Sequence, residues 1–177
     1  DSVNFTPVKL APTVSVGIYP DVKIGPTLKT RMSAPLIKSS ATGNVGAAEY
    51  TIASADLPAY ALDQVDEAFS YVASGRYVNN ANAKTLKFYI GTVAVMTKAI
   101  TASQSGDWRI EAEVYSIGTN SQRYSWKFFQ DGVVQATSVG NSTLTETTNA
   151  AIQLKVTATA PTNNDLSCFA HILNQVL

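Results

Sequence analysis

Apolar and polar residues alternate with a period of two along this chain from about residue 46 to its end. In residues 108–114 the apolar side chains fall on one face and the charged side chains on the other, and in residues 122–130 three aromatic residues share a face. This alternation is typical of strands that bury one face. Amphipathic helical periodicity is nearly absent, so we expect an all-β fold.

The two clearest strands also predict their own pairing. If the loop at 118–120 closes a hairpin, Ala112 lies opposite Trp126 and Glu111 lies opposite Lys127. A small residue opposite a large one packs well, and the charged pair is favourable across neighbouring strands. A slip of one residue would bury the charges, so both faces favour the same register.

Turn signals separate eight or more short strands. The expected strands are residues 49–54, 69–72, 85–92, 93–100, 108–117, 122–130, 133–139, 152–158 and 166–177. Asp131-Gly132 is typical of a type I′ hairpin turn, and a further turn is expected at Ser74-Gly75. Residues 63–69 could form one or two turns of helix, with Asp63 as N-cap. Strands at this spacing predict an antiparallel β-sandwich or barrel.

The first 34 residues differ from the rest of the chain. Five of the seven prolines lie within residues 1–35. Proline removes a backbone donor and is confined to sheet edges, so this segment cannot supply a core of its own. We expect an extended Pro-rich neck, or the end of an upstream domain, over residues 1–34, followed by one β-sandwich domain over residues 35–177. The first residue is not Met, which favours a fragment of a longer protein.

Composition excludes several function classes. Charged residues make up 15% of the chain, and 13 basic residues balance 13 acidic ones. No excess of positive charge is available for nucleic acid, and no apolar run is long enough to cross a membrane, so neither partner is expected. A near-neutral free monomer would be poorly soluble, which suggests that much of the surface contacts other protein.

No catalytic or metal site is predicted. Cys168 and His171 are the only residues of their types, so a disulfide, a multi-Cys zinc site and a His-based triad all lack partners. Asp63, Asp66 and Glu67 cluster, but they are best read as solvated acids on one short segment, with a calcium site as the less favoured alternative. We expect no cofactor and no enzymatic activity in this segment.

The final strand is apolar on both faces. Strict alternation places Leu166, Cys168, Ala170 and Ile172 on the core face. It places Phe169, His171 and Leu173 on a second face that the sandwich core cannot use. Phe129 and Val134, across the Asp131-Gly132 turn, repeat this pattern. These five residues are the candidate oligomer interface, and cover by the chain's own residues 1–34 is the alternative.

Exposed tyrosine beside asparagine is a plausible glycan-binding arrangement, because a ring can stack on a sugar while amides donate and accept hydrogen bonds. The candidates are Tyr60, Tyr77, Asn79, Asn80 and Asn82. A simple polar loop over residues 77–82 is the alternative interpretation.

Residues 73–91 carry the pattern G-x-x-x-N-N-x-N-x-K-T-L-x-x-x-x-G, and residues 108–114 carry W-x-I-x-A-x-V. Over residues 46–177 the chain resembles the C-terminal jelly-roll domains of tailed-bacteriophage tail fibres, tailspikes and capsid fibres. The resemblance implies a jelly-roll β-sandwich, a homotrimer and attachment to a host-surface polysaccharide. It implies a place on the virion, after folding in the host cytoplasm, and supplies no fixed list of receptor residues.

Two alternatives to a receptor-binding fibre domain stay open. The chain could be a non-catalytic module of a polysaccharide depolymerase whose catalytic acids lie upstream. It could also be a capsid or decoration protein without a glycan role.

Overall fold

The computed structural model describes residues 19–21, 29–31, 36–38, 41–100 and 105–176, with backbone alone for the first three ranges and for residues 139–141. These residues form thirteen strands: β1 Tyr19–Asp21, β2 Lys29–Arg31, β3 Leu36–Lys38, β4 Thr42–Gly43, β5 Tyr50–Leu57, β6 Ala68–Tyr77, β7 Lys84–Ile90, β8 Val93–Ile100, β9 Gly106–Gly118, β10 Ser121–Gln130, β11 Val133–Leu144, β12 Ile152–Thr159 and β13 Leu166–Val176. The described part of the chain contains no helix.

Two antiparallel sheets pack face to face, which confirms the predicted β-sandwich. The larger sheet has the order β11-β10-β9-β6-β13-β3, with β4 also pairing with β13, and the smaller sheet has the order β5-β12-β7-β8. Alternate side chains of both sheets meet in one core, because the period-two pattern turns every second residue inward. The finer jelly-roll topology stays a prediction.

The predicted β9–β10 register is confirmed. Ala112 pairs with Trp126 and Glu111 pairs with Lys127. The Asp131-Gly132 turn joins β10 to β11, and both residues have positive φ, as a type I′ turn requires. The sequence pattern therefore predicted the β9–β10 pairing residue by residue.

Two local predictions are wrong. No turn lies at Ser74-Gly75, because β6 runs unbroken from Ala68 to Tyr77. No helix forms in residues 63–69: residues 63–66 are bends and turns, residues 68–69 already belong to β6, and Asp66 has a φ of 71°, which ends any right-handed helix. Glu67 instead accepts a hydrogen bond from the backbone N–H of Gln64 at 3.0 Å.

The expected neck lies mostly outside the described residues. Within it, β1 and β2 pair with each other in antiparallel fashion. The chain then joins the sandwich through β3, whose Leu36 pairs with Leu173 of β13.

Each end of the sandwich is formed by its own loops. We call the end made by residues 58–67, 91–92, 119–120 and 145–151 the Tyr60 end. We call the end made by residues 44–49, 78–83, 131–132 and 160–165 the Asn80 end. Strand β6 connects the two ends, and its ten residues put them about 30 Å apart.

Candidate interaction surface

The outer face of the larger sheet holds two adjoining depressions that share Val72, of about 300 and 730 Å³. The smaller is lined mainly by serines and by charged residues of β9 and β10. The larger is lined by Phe129 and Phe169, with Arg76 and Arg109 beside them. The apolar part of this surface therefore lies toward the Asn80 end.

Three of the five predicted interface residues lie on this outer face. Phe129 of β10 is half-buried and pairs with Val134 of β11, which is 48% exposed. Phe169 of β13 is 40% exposed, and the Arg76 guanidinium lies 5.9 Å from the centre of its ring. We name Phe129, Val134 and Phe169 the outer apolar patch.

The other two predicted interface residues do not lie there, which corrects the face assignment. His171 and Leu173 are buried in the chain's own core, and Leu173 has no exposed surface. The cause is a bulge in β13 between Cys168 and Ala170, which shifts the alternation by one residue. Ile172, predicted to face the core, is half-buried and pairs with Val72 of the outer face.

Ion pairs border the outer apolar patch. Arg109 Nη2 lies 2.7 Å from Glu111 Oε1, and Arg76 Nε lies 3.6 Å from Asp107 Oδ1. All four side chains are a third or more exposed, so each pair contributes little to folding stability. The patch is therefore an apolar surface bordered by exposed charges of both signs.

Tyr77 is not available to a glycan, which corrects that prediction. Its ring is buried, and its hydroxyl donates to Asp131 Oδ2 at 2.5 Å and accepts from Gln130 Nε2 at 3.1 Å. Burial, and after it the hydrogen bond to the Asp131 carboxylate, raises the pKa of Tyr77. This tyrosine ties β6 to the β10–β11 turn.

Asn80 and Asn82 belong to a buried polar network at the Asn80 end. Their side-chain amides donate to the two oxygens of Asp165 at 2.6 and 2.8 Å. Asn80 Oδ1 accepts from Lys84 Nζ at 2.7 Å, and the backbone oxygens of Asn80 and Asn82 accept from the same ammonium. Lys84 and Asp165 are almost fully buried, so the two amides link an ammonium and a carboxylate inside the protein.

Asn44 extends this network across the Asn80 end. Its backbone N–H donates to the oxygen of Leu166, and its side-chain oxygen accepts from the N–H of Leu166 at 3.0 Å. Its amide donates to the backbone oxygens of Ala160 and Thr162. The asparagines of the 79–84 motif thus have partners that position loops, and only Asn79 of the three predicted ones is exposed.

Tyr60 is 54% exposed and lies at the opposite end of the sandwich. Its φ of 66° is unusual for a bulky side chain and costs about 1–2 kcal/mol. Its backbone N–H donates to the oxygen of Thr148 at 2.6 Å, which holds the loop in place. The predicted glycan residues therefore do not form one site.

A polar cluster that the sequence pattern did not reveal lies on the outer face of the smaller sheet. The Glu49 carboxylate accepts hydrogen bonds from Lys87, Tyr89 and Thr157, at 2.5, 2.7 and 2.7 Å. The bond from Lys87 contributes most to lowering the pKa of Glu49 to about 2. Lys155 Nζ lies 4.8 Å from the centre of the Tyr89 ring. Glu49 precedes β5, so no strand alternation could have placed it over β7 and β12.

Within residues 41–100 and 105–176, no group of three or more His, Cys, Asp or Glu side chains is arranged to hold a metal ion. No helix in the described part of the chain is long and apolar enough to cross a membrane. No protein-family model matches this sequence, and no curated protein is similar to it.

Proposed function

We propose that this chain is a homotrimeric β-sandwich domain of a tailed-bacteriophage fibre or tailspike, which assembles through its outer apolar patch and contributes to attachment to host-surface polysaccharide. The observation that carries the assembly part is the exposure of Phe169, Val134 and part of Phe129 on one outer sheet face. The pattern at residues 75–91 supports the virion part, through the resemblance that it carries.

The two outer faces of the sandwich differ in a way that supports this assignment. The smaller sheet presents the hydrogen-bonded Glu49 cluster, whereas the larger sheet presents aromatic side chains around a depression. Burying one exposed Phe at an interface contributes roughly 1.5–3 kcal/mol. Three copies that bury this patch would gain that contribution three times over.

Light scattering of the full chain at micromolar concentration tests the assembly. We expect a mass of about three times 18.8 kDa. Phe129→Glu and Phe169→Glu should yield a folded monomer, because each places a carboxylate in a dry contact. Thr97→Glu, at an exposed position of β8, is the matched control and should stay trimeric. A monomeric parent chain, or Phe variants that remain trimeric, would contradict the proposal.

A glycan array tests the attachment role separately. Three linked copies turn weak sugar contacts into avidity, so we expect binding by the trimer and none by the Phe129→Glu monomer. Asn79→Ala and Tyr60→Ala distinguish the two ends of the sandwich, since each removes the exposed candidate of one end. A trimer that binds no polysaccharide on the array would favour a capsid or decoration role.

A further inference from the structure

The Tyr60 end carries exposed apolar side chains that the sandwich leaves uncovered. Tyr60 is 54% and Val65 is 58% exposed, and Ile117 at the end of β9 is also exposed. These three residues, the Tyr60 patch, lie on the loop 58–67 and on the strand end next to it, because Asp66 and Ser116 are joined by a backbone hydrogen bond.

The loop that presents this patch is held in position. Tyr60 N–H donates to Thr148 O, and the backbone N–H and hydroxyl of Thr148 both donate to Asn120 Oδ1. Ala61 and Leu62, which follow Tyr60, are buried and anchor the loop to the protein interior. The patch is therefore a preformed surface on three cross-linked loops.

The chain enters the sandwich close to this end. Leu36 of β3 pairs with Leu173, which is three residues, or about 10 Å, from Val176 at the Tyr60 end. Arg31 of β2 precedes Leu36 by five residues and can lie at most about 18 Å from it. In the opposite direction along β13, the Asn80 end begins at Leu166, which is seven residues, or about 23 Å, from Leu173. The end of β2 can therefore reach the Tyr60 end but not the Asn80 end.

The distribution of charge also favours contact between the N-terminal segment and the Tyr60 end. Residues 1–35 contain four basic and two acidic residues, for a net charge of +2. Residues 36–177 contain the remaining nine basic and eleven acidic residues, for a net charge of −2. Asp63 and Asp66, both at least partly exposed, lie in the loop of the Tyr60 patch, and Lys29 and Arg31 lie in the strand that can reach it.

The N-terminal segment also has apolar residues to bury. Fourteen of residues 1–35 are apolar, and the five prolines prevent them from forming a core of their own. We infer that the Tyr60 patch is the docking surface for residues 1–35 of the same chain, because the two aspartates beside the patch have the charge opposite to the net positive charge of that segment. Tyr60 is then a docking residue and not a glycan contact, and the Asn80 end is the free end of the domain.

Photo-crosslinking in the full chain tests this docking. p-Benzoylphenylalanine replaces Tyr60 in one variant and Val65 in another, and Ala81, exposed at the Asn80 end, is the matched control. We expect the probes at positions 60 and 65 to crosslink to peptides within residues 1–35 and the probe at position 81 not to do so. Two probe positions keep the test decisive if one variant does not fold. Crosslinks only outside residues 1–35, or none, would overturn the inference.

Unfolding isotopically heavy and light chains together in urea and refolding them before irradiation places both kinds in the same assembly, so the products identify the donor chain. We expect heavy–heavy and light–light products. Mixed products in the statistical proportion would show docking between copies and would overturn the assignment to the same chain. Asp63→Lys with Asp66→Lys should lower the crosslink yield at position 65 several-fold, whereas Asp56→Lys on β5 should not. None of these results depends on the trimer mass, so the docking and the assembly can fail independently.

Discussion

Gly75 of β6 lies directly against the backbone oxygen of Ser167. A β-carbon at position 75 would stand 1.8 Å from that oxygen and 2.7 Å from the Trp108 ring. Gly75 pairs with Cys168, the residue at which the β13 bulge begins. The missing side chain of Gly75 therefore leaves space for the backbone of β13 where its bulge begins, next to the Trp108 ring.

Gly75→Ala should destabilise the fold by about 2–4 kcal/mol, because the atoms it meets are backbone and a buried ring and cannot move aside. Urea unfolding followed by tryptophan fluorescence measures the loss. Gly46→Ala is the control: Gly46 has positive φ but open space around it, so we expect a loss of only about 1 kcal/mol. Equal losses in the two variants would show that close packing at Gly75 is unimportant.

Leu173→Glu should unfold the chain, and Ile172→Glu should leave the β-fold intact. The bulge turns Leu173 into the core, where an unpaired carboxylate costs several kcal/mol, and turns Ile172 toward the outer face. Circular dichroism at 25 °C distinguishes the two. The opposite result would mean that β13 alternates without a bulge.

Tyr71→Phe should leave stability unchanged or raise it by up to about 1 kcal/mol. Burial raises the pKa of Tyr71, and among the described residues its hydroxyl has no hydrogen-bond partner. The ring itself stacks on Phe88 at 5.5 Å, which Phe would preserve. Tyr77→Phe is the matched control and should cost about 1–2 kcal/mol, since it removes bonds to Asp131 and Gln130. A large loss in Tyr71→Phe would reveal a partner for that hydroxyl.

Stability should fall as the pH drops from about 4.5 toward 2, in part because Glu49 becomes protonated. The folded-state pKa of Glu49 is about 2, below its ordinary value of 4.5. Because the pKa of Glu49 is lower in the folded state, its ionised carboxylate stabilises the fold at pH values above 4.5. That contribution is lost as the pH falls toward the folded-state pKa. Glu49→Gln should flatten this part of the stability curve measured by thermal unfolding. A curve unchanged by Glu49→Gln would refute the role of Glu49.

The sequence predicted best those parts of the fold where alternation is regular. The β9–β10 register follows from Ala112 opposite Trp126 and from Glu111 opposite Lys127, since a slip would bury charge. The faces of β13 were predicted wrongly because of its bulge. A bulge moves His171 and Leu173 to the other face without changing the residue types. The residue that signals the bulge is Gly75. From the sequence alone Gly75 was interpreted as a turn residue, because the strand that pairs with β6 at this position was unknown.

The asparagine motif illustrates a second limit. Asn80 and Asn82 looked like free surface amides, because their partner Asp165 lies more than 80 residues further along the chain. Pairing at that separation depends on the whole sandwich and not on local spacing. The hydrogen bonds of Glu49 could not be predicted for the same reason, since its partners are on β7 and β12.

The place of β13 in the larger sheet has a consequence for biosynthesis. This strand comes last among the thirteen, yet it lies inside the sheet, between β6 and β3. The sheet cannot close while residues 166–176 are still in the ribosome, and until then β6 exposes an unpaired edge. A chain that terminates early keeps that edge permanently and is a ready template for aggregation. Nonsense and frameshift changes just before residue 166 should therefore be as damaging as those in the middle of the sandwich.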